Sequence, residues 1–313
     1  MNIHILQPYN PAHQLPHLSR LLTLIESHDH NGDDPSEAYL RDMLTWPNFE
    51  PENDCWVIPH PDRPDDLIGY GSTYAQIPSR CYGLIAIDPD FRRQGLGSRL
   101  LKNVIQRTQQ YGAHQLAIDA NSSNTAANAF LIHHNFQPAG HSWIMNRPAG
   151  LETAPPEWPN GFTIRRYSEF NDPQLLADAL NAFIDMWGHG QNERPTTAEG
   201  AAEVIQSFWN SESVFVAFAP DGTAAGFVAI HFNDKEDMQG QPVDILDAPG
   251  VVPTYRHLNL QRPLVLAALQ YQQSHSQKPV ELQSWGDLPE TAALYNTLGF
   301  TTTAHFIAYL REV

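Results

Sequence analysis

A fixed displacement of 164 residues carries Pro89 onto Pro253, Arg92 onto Arg256, Leu100 onto Leu264, Ile118 onto Leu282 and Asn135-Phe136 onto Gly299-Phe300. Five anchors in register without a gap mark a duplicated unit, and equal spacing is not explained by the helix-strand alternation that any two α/β units share. A length of 313 residues agrees with two domains of roughly 150 residues each. Between the copies, NRPAGLETAPPEWPNG places four prolines in a short polar stretch that resists continuing as helix or strand. The expected organisation is an N-terminal domain over 1–147, a linker over 148–161 and a C-terminal domain over 162–313.

Apolar periodicity gives both copies the same element order. In the first, a strand over IHILQPY is followed by helices at His17–Glu26 and Ser36–Trp46, then strands at Asp54–Pro59, Leu67–Gln76 and Cys81–Ile87. A helix at Gly97–Tyr111, a strand at Leu116–Ala120, a helix at Thr125–His134 and a strand at Ala139–Asn146 complete it. The second copy predicts a strand at Thr163–Tyr167, helices at Gln174–Trp187 and Thr197–Trp209, and strands at Val214–Phe218, Ala225–Phe232 and Val243–Pro249. It closes with a helix at Pro263–Ser274, a strand at Val280–Ser284, a helix at Glu290–Leu298 and a strand at Thr303–Leu310. This is an α/β pattern.

Charge narrows the partners. Lys and Arg number 18 against 35 Asp and Glu, a formal net charge of −17, which opposes general attraction to nucleic acid or anionic lipid. Cys55 and Cys81 are too few and too isolated for a disulfide framework or a thiolate-rich zinc site. The first residues lack a basic segment followed by an apolar run, and nowhere do about 20 apolar residues stand together. A cytoplasmic protein without a metal is expected, and the choice between monomer and homodimer is left open.

The strongest chemical signal is IAIDPDFRRQGLGSRLL over 85–101, an apolar strand leading through a glycine-bearing loop into an amphipathic helix. First-turn amides of such a helix have no helical partner, and glycines let a ligand approach the backbone closely. The run lacks the third glycine of the dinucleotide fingerprint and the terminal Lys-Ser/Thr of a Walker A loop. A loop that only turns the chain is the alternative reading.

With this strand-loop-helix context, Arg-x-x-Gly-x-Gly resembles the phosphate loop of the GNAT N-acetyltransferase family. The likeness continues through LAIDA at 116–120, NTAANAF at 124–130 and Asn135-Phe136, where Asn135 replaces the family's glycine. Asparagine tolerates the left-handed conformation that such a helix end needs. The resemblance implies two tandem GNAT-like domains, each a mixed central sheet with helices on both faces. It also implies that Arg92, Arg93, Gln94, Gly95, Leu96, Gly97 and Ser98 hold the pyrophosphate of acetyl-CoA. Pantetheine would lie in a V-shaped gap between strands near Leu84–Ile87 and Ile118–Asn121. Ile85, Ala86 and Ile87 would offer amides to the cofactor and to the developing oxyanion, and Asn124 would line the cofactor or simply cap its helix.

The second copy reads VPTYRHLNLQRP at 252–263, with Asn259 and Gln261 in place of the two glycines and Pro263 without an N–H. A degenerate, noncatalytic second domain is expected. Tyr295 nevertheless stands where family enzymes place a tyrosine acid, whereas the first copy has Leu131. Tyr295 reads as a structural aromatic, a substrate-side residue or the acid of an active second site. The implied reaction is direct acetyl transfer from acetyl-CoA to an amine of a small molecule or peptide, with a carboxylate, imidazole or water taking the proton. Glu26 and Asp119 are the candidate carboxylates, within a wider substrate-side set of Asp29, Asp54, Trp56, Tyr74 and Tyr82. The alternative function is a noncatalytic acetyl-CoA sensor, and a third reading places catalysis in the second domain.

Overall fold

The computed structural model describes residues 5–313 apart from 32–33, 47–48, 183–195, 208, 233–234, 238–239 and 286–287. The chain forms two compact units, Met1–Pro138 with Ile307–Val313, and Ala139–Phe306.

In the first unit the order is β1 (Gln7–Pro8), α1 (Pro11–Asp29), α2 (Glu37–Met43), α3 (Pro51–Asp54), β2 (Cys55–Pro59), β3 (Leu67–Ile77), β4 (Arg80–Ile87), α4 (Leu96–Gln110), β5 (Gln115–Asn121), α5 (Thr125–His133) and the start of β6 (Gln137–Arg147). Strands β1 to β4 run antiparallel in sequence order, and β5 joins β4 in parallel. Successive residues of β3 face opposite layers, as strand geometry requires. Tyr70 packs with Leu15, Leu18, Leu21 and Ile25 of α1, while a Cβ on Gly71 would meet Leu100 of α4. The expected strand over IHILQPY is reduced to two residues, with its first two positions outside the described residues. Helix α1 starts six residues earlier than expected and tolerates Pro16 in its interior.

The second unit continues with β6, β7 (Thr163–Arg166), α6 (Pro173–Ala182), α7 (Ala198–Ser207), β8 (Val214–Phe218), β9 (Ala224–His231), β10 (Asp244–Val251), α8 (Gln261–His275), β11 (Val280–Trp285), α9 (Pro289–Thr297) and β12 (Thr301–Glu312). Strands β7 to β10 are antiparallel neighbours, and β11 joins β10 in parallel. The helix expected to reach Trp187 ends at Ala182, with the remainder of that prediction outside the described residues.

Strands that follow equivalent helices serve opposite compact units. Strand β6, which follows α5, pairs antiparallel with β11 from Val280↔Arg147 to Trp285↔Ser142. The second half of β12, which follows α9, neighbours β5 and belongs to the first unit. There Val313 N–H bonds the His114 carbonyl at 3.0 Å and Arg311 bonds the His134 carbonyl at 2.9 Å. Strand propensity at 139–146 and 303–310 specifies a strand but not its partner, so an exchange of this kind is silent in local pattern.

Candidate active site

The site is built where β4 and β5 part. Their parallel pairing covers only Arg80↔Gln115, Cys81↔Leu116 and Tyr82↔Ala117, although β4 continues to Ile87 and β5 to Asn121. The antiparallel ladder between β3 and β4 continues to Gly69↔Ile87, so β4 keeps its other neighbour along the whole length over which it has left β5. Beyond Tyr82 the β4 edge facing β5 has no ladder partner, and Leu84 there is 39% exposed. A fork with polar backbone edges and apolar side chains suits an extended amide-bearing arm.

Beyond the tip of β4 the loop turns sharply. Arg93 and Gly95 both take left-handed backbone, φ 63° and 79°. Left-handed residues separated by a single position are the conformation from which main-chain anion nests are made. Gly95 then caps α4 with no side-chain hydrogen bond, leaving the first-turn donors to an incoming acceptor. An added Cβ at Gly95 would meet nothing within 4 Å, so the space above the loop is open. Gly97 sits against Phe130, with an added Cβ 3.3 Å from its ring. Ser98 pairs with His134 Nε2 at 2.9 Å, and burial together with His133 and Arg311 holds that imidazole below its ordinary pKa. A phosphate therefore fits the loop through its main chain.

Arg92 braces the junction of strand and loop. Its Nε donates to the Ile87 carbonyl at 3.0 Å, and its two terminal nitrogens donate to Asp29 at 2.9 and 2.7 Å. Arg256 Nε donates to the Val251 carbonyl at 3.3 Å in the second copy, five residues back as in the first. The repeated arginine is thus a brace for the strand-loop junction, and its side chain is committed before any ligand arrives. Arg93, by contrast, is exposed.

Asp29 belongs to the end of α1, which is fastened to both arms of the fork. Arg92 holds it on the β4 side, and Asn121 Nδ2 donates to the His30 carbonyl at 3.2 Å on the β5 side. Burial alone would raise the Asp29 pKa, but hydrogen bonds from Arg92 and His28 outweigh it and hold the carboxyl below its ordinary 3.8. A depressed carboxylate stabilises the fold above the unfolded pKa and loses that contribution as pH falls through the folded value. Asp29→Asn should therefore flatten the acid limb of stability below pH 3.8, measured as the thermal midpoint against pH. In a double-mutant cycle with Arg92→Ala it should show a coupling of roughly 1.5–3 kcal/mol, as expected for hydrogen bonds to charged groups. Additive losses would contradict the brace.

The remaining candidates separate. Glu26 accepts the Asn31 N–H at 3.1 Å and closes the end of α1. Asp119 is exposed on β5, one arm of the fork. Asp54 is fully buried and bound by Arg107, so its place is in the framework rather than on a substrate. Trp56 is half-buried against the core, and Tyr74 packs on Trp46 with ring centres 5.3 Å apart. Tyr295 is 0% exposed in the core of the second unit, edge-on to Phe300, surroundings that support the structural-aromatic reading. Asn124 caps α5 by accepting the Ala127 N–H at 3.0 Å, and Asn135 takes the left-handed φ of 62° expected of it. Cys55 and Cys81 are free and buried, and desolvation pushes the Cys55 thiol up to about 12.

The second copy keeps the turn but carries side chains at the positions of both glycines, Asn259 and Gln261. Its parallel pairing also stops early, at Asp247↔Gln283, and Asn259 adopts φ 55° where the first copy has Gly95. The Arg262 N–H turns back to the Asn259 carbonyl at 3.3 Å, and Pro263 has none to give. Asp247, at the last paired position, is held by His231 at 2.7 Å and Trp209 at 2.9 Å. Among the described residues, no helix is long and apolar enough to cross a membrane, and no group of three His, Cys, Asp or Glu could hold a metal ion.

A strand fork is followed here by a glycine turn at the start of a helix, and residues 19–136 match the acetyltransferase (GNAT) family. The chain is 28% identical over 250 residues to a mycothiol acetyltransferase of Thermobispora bispora, covering 79% of this chain and 81% of the relative. Among solved structures, a GCN5-related N-acetyltransferase from Sphaerobacter thermophilus superposes with a TM-score of 0.73 at 20% identity, covering 98% of this chain and 95% of the other. A tandem GNAT protein from the clavulanic acid biosynthesis pathway gives 0.63 at 15% identity, covering 98% of both chains. These likenesses establish an α/β fold of tandem GNAT type.

Proposed function

We propose that the first unit binds acetyl-CoA and transfers its acetyl group to an amine, while the second is a degenerate GNAT-like domain without a phosphate cradle. The observation that carries this reading is the conjunction, within one unit, of the early parting of β4 and β5 with an uncapped first turn of α4. Amides of Gly95, Leu96, Gly97 and Ser98 hold the pyrophosphate, with Arg93 and Gln94 exposed at its rim. The edges of Ile85, Ala86 and Ile87 hold the pantetheine arm and lie along the site of the reacting carbonyl. Acetyl-CoA supplies an activated thioester, so the amine forms its new N–C bond as the C–S bond breaks, giving an N-acetyl product and a free thiol.

The chain's own contribution is to orient and to move a proton. Asp119, exposed on the β5 arm, is the carboxylate we assign to accept the amine's proton, and Glu26 shapes the end of α1 nearby in sequence to the Asp29 brace. Leu131 stands in place of a tyrosine acid and is buried, so water returns the proton to the leaving thiolate. The acceptor is an amine of a small molecule or peptide, and the mycothiol acetyltransferases among the relatives make mycothiol-related amines the first to screen.

Thiol release from acetyl-CoA across a panel of amines tests the reading. Amine-dependent release that falls at least about tenfold in Asp119→Asn is expected, within the usual range for loss of a general base. Tight acetyl-CoA binding with no product from any amine would instead make the protein a sensor.

A further inference from the structure

The first unit contains a part-buried polar network, and it sits at the β5–α5 corner beside the fork. Tyr309, 2% exposed, comes from the half of β12 that completes this unit. Its hydroxyl donates to Asn128 Oδ1 at 2.7 Å. Asn128 Nδ2 in turn donates to the carbonyls of Asn121 at 2.9 Å and Asn124 at 2.7 Å. Asn121 binds the end of α1 through the His30 carbonyl and accepts the N–H and hydroxyl of Ser123, at 3.0 and 2.7 Å. Every functional atom of the Asn128 amide is thereby used, and the phenol fixes which way that amide faces.

The duplicate supplies an internal control. At the positions 164 residues away, Tyr309 corresponds to Met145 and Asn128 to Ala292, both buried in the apolar core of the second unit. Asn121 and Asn124 correspond to Trp285 and Leu288. Two of the counterpart positions, Met145 and Ala292, thus carry apolar side chains where the first unit has the phenol and the amide. Packing alone does not call for a phenol and three asparagines, since a buried hydroxyl and amide contribute little net stability over well-packed apolar groups and are costly if left unpaired. The network accompanies the copy with the intact cradle.

We propose that Tyr309 is a positioning residue for acetyl-CoA: through Asn128 it locks the β5–α5 corner and so fixes the width of the fork that receives the pantetheine arm. The assignment rests on the cofactor reading of the first unit. The phenol touches neither cofactor nor acceptor and acts by holding the two carbonyls that end β5 and begin α5. A pre-set fork spares the cofactor the ordering of that corner on binding.

The test compares the full-length protein with Tyr309→Phe, Asn128→Ala and the double variant, using acetyl-CoA titration by calorimetry, steady-state kinetics and amide hydrogen exchange without ligand. Tyr309→Phe should weaken acetyl-CoA binding and raise its KM by about five- to tenfold, the scale of one buried hydrogen bond, while the KM for the amine stays within about twofold. Exchange should quicken at residues 121–125, and the double variant should lose little more than either single one. A lower melting temperature with unchanged acetyl-CoA affinity and unchanged exchange at 121–125 would overturn the assignment. Additive losses in the cycle would also overturn it. If the unaltered protein does not bind acetyl-CoA at all, the cofactor reading of the unit fails first, a result distinct from an unshifted Tyr309→Phe.

Discussion

Gly97→Val is expected to lower the affinity for acetyl-CoA by roughly 100-fold, the equivalent of about 2.7 kcal/mol. The position lies in the first turn of α4, where the backbone must present its donors to a phosphate. Even a single added carbon would stand 3.3 Å from the Phe130 ring, so a branched side chain has to lean outward over the amides it should expose. Two charge-assisted hydrogen bonds weakened together account for a loss of this size. Calorimetric titration measures it, and a melting temperature within a few degrees of the parent separates loss of the cradle from loss of the fold. An unchanged affinity would remove the loop from the site and return it to the role of a turn.

The largest effect on stability is expected at Asp54, a residue far from the chemistry. Its carboxylate is 0% exposed and receives Arg107 Nε at 2.7 Å, the Tyr111 hydroxyl at 2.7 Å and the Glu50 N–H at 2.6 Å. Arg107 also lies over the Tyr111 ring, 4.5 Å from its centre. Asp54→Ala strands a partly buried guanidinium and two further donors, and breaking such a pair from one side typically costs roughly 3–5 kcal/mol. Asp54→Asn keeps the shape and one acceptor and should cost less. Denaturant unfolding followed by two probes gives the number, and a loss below about 1 kcal/mol would reduce the cluster to a surface-type pair.

How much of this was legible in the chain depends on the distance over which the cause acts. The glycine turn, the left-handed Asn135 and the order of helices and strands are local, and all are readable from residue chemistry at neighbouring positions. Arg92 was not. The family resemblance implied a ligand role for it, and its counterpart Arg256 marked only the duplication, yet both share a hydrogen bond to a carbonyl five residues back. The carboxylate that occupies the rest of Arg92 lies 63 residues away, beyond any local signal. Asp54 reads as a substrate-side acid for the same reason, since nothing next to it in sequence announces Arg107. Three asparagines at 121, 124 and 128 were visible as a cluster, but their meaning depends on Tyr309, which follows 181 residues after Asn128.

The fork itself illustrates the middle case. A family resemblance placed a gap at Leu84–Ile87 and Ile118–Asn121, and the register shows pairing end at Tyr82↔Ala117, just before it. No feature of the two strands taken singly demands that they part.

The exchange of β6 and β12 carries a consequence for biosynthesis. Residues 307–313 finish the sheet of a unit whose other strands are translated within the first 138 residues. At ribosomal speeds of roughly 5–20 residues per second, the amino-terminal sheet waits about ten seconds or more with one edge open. During that interval β5 lacks the neighbour that the last residues provide, so the amino-terminal sheet is completed only once residues 307–313 have been translated.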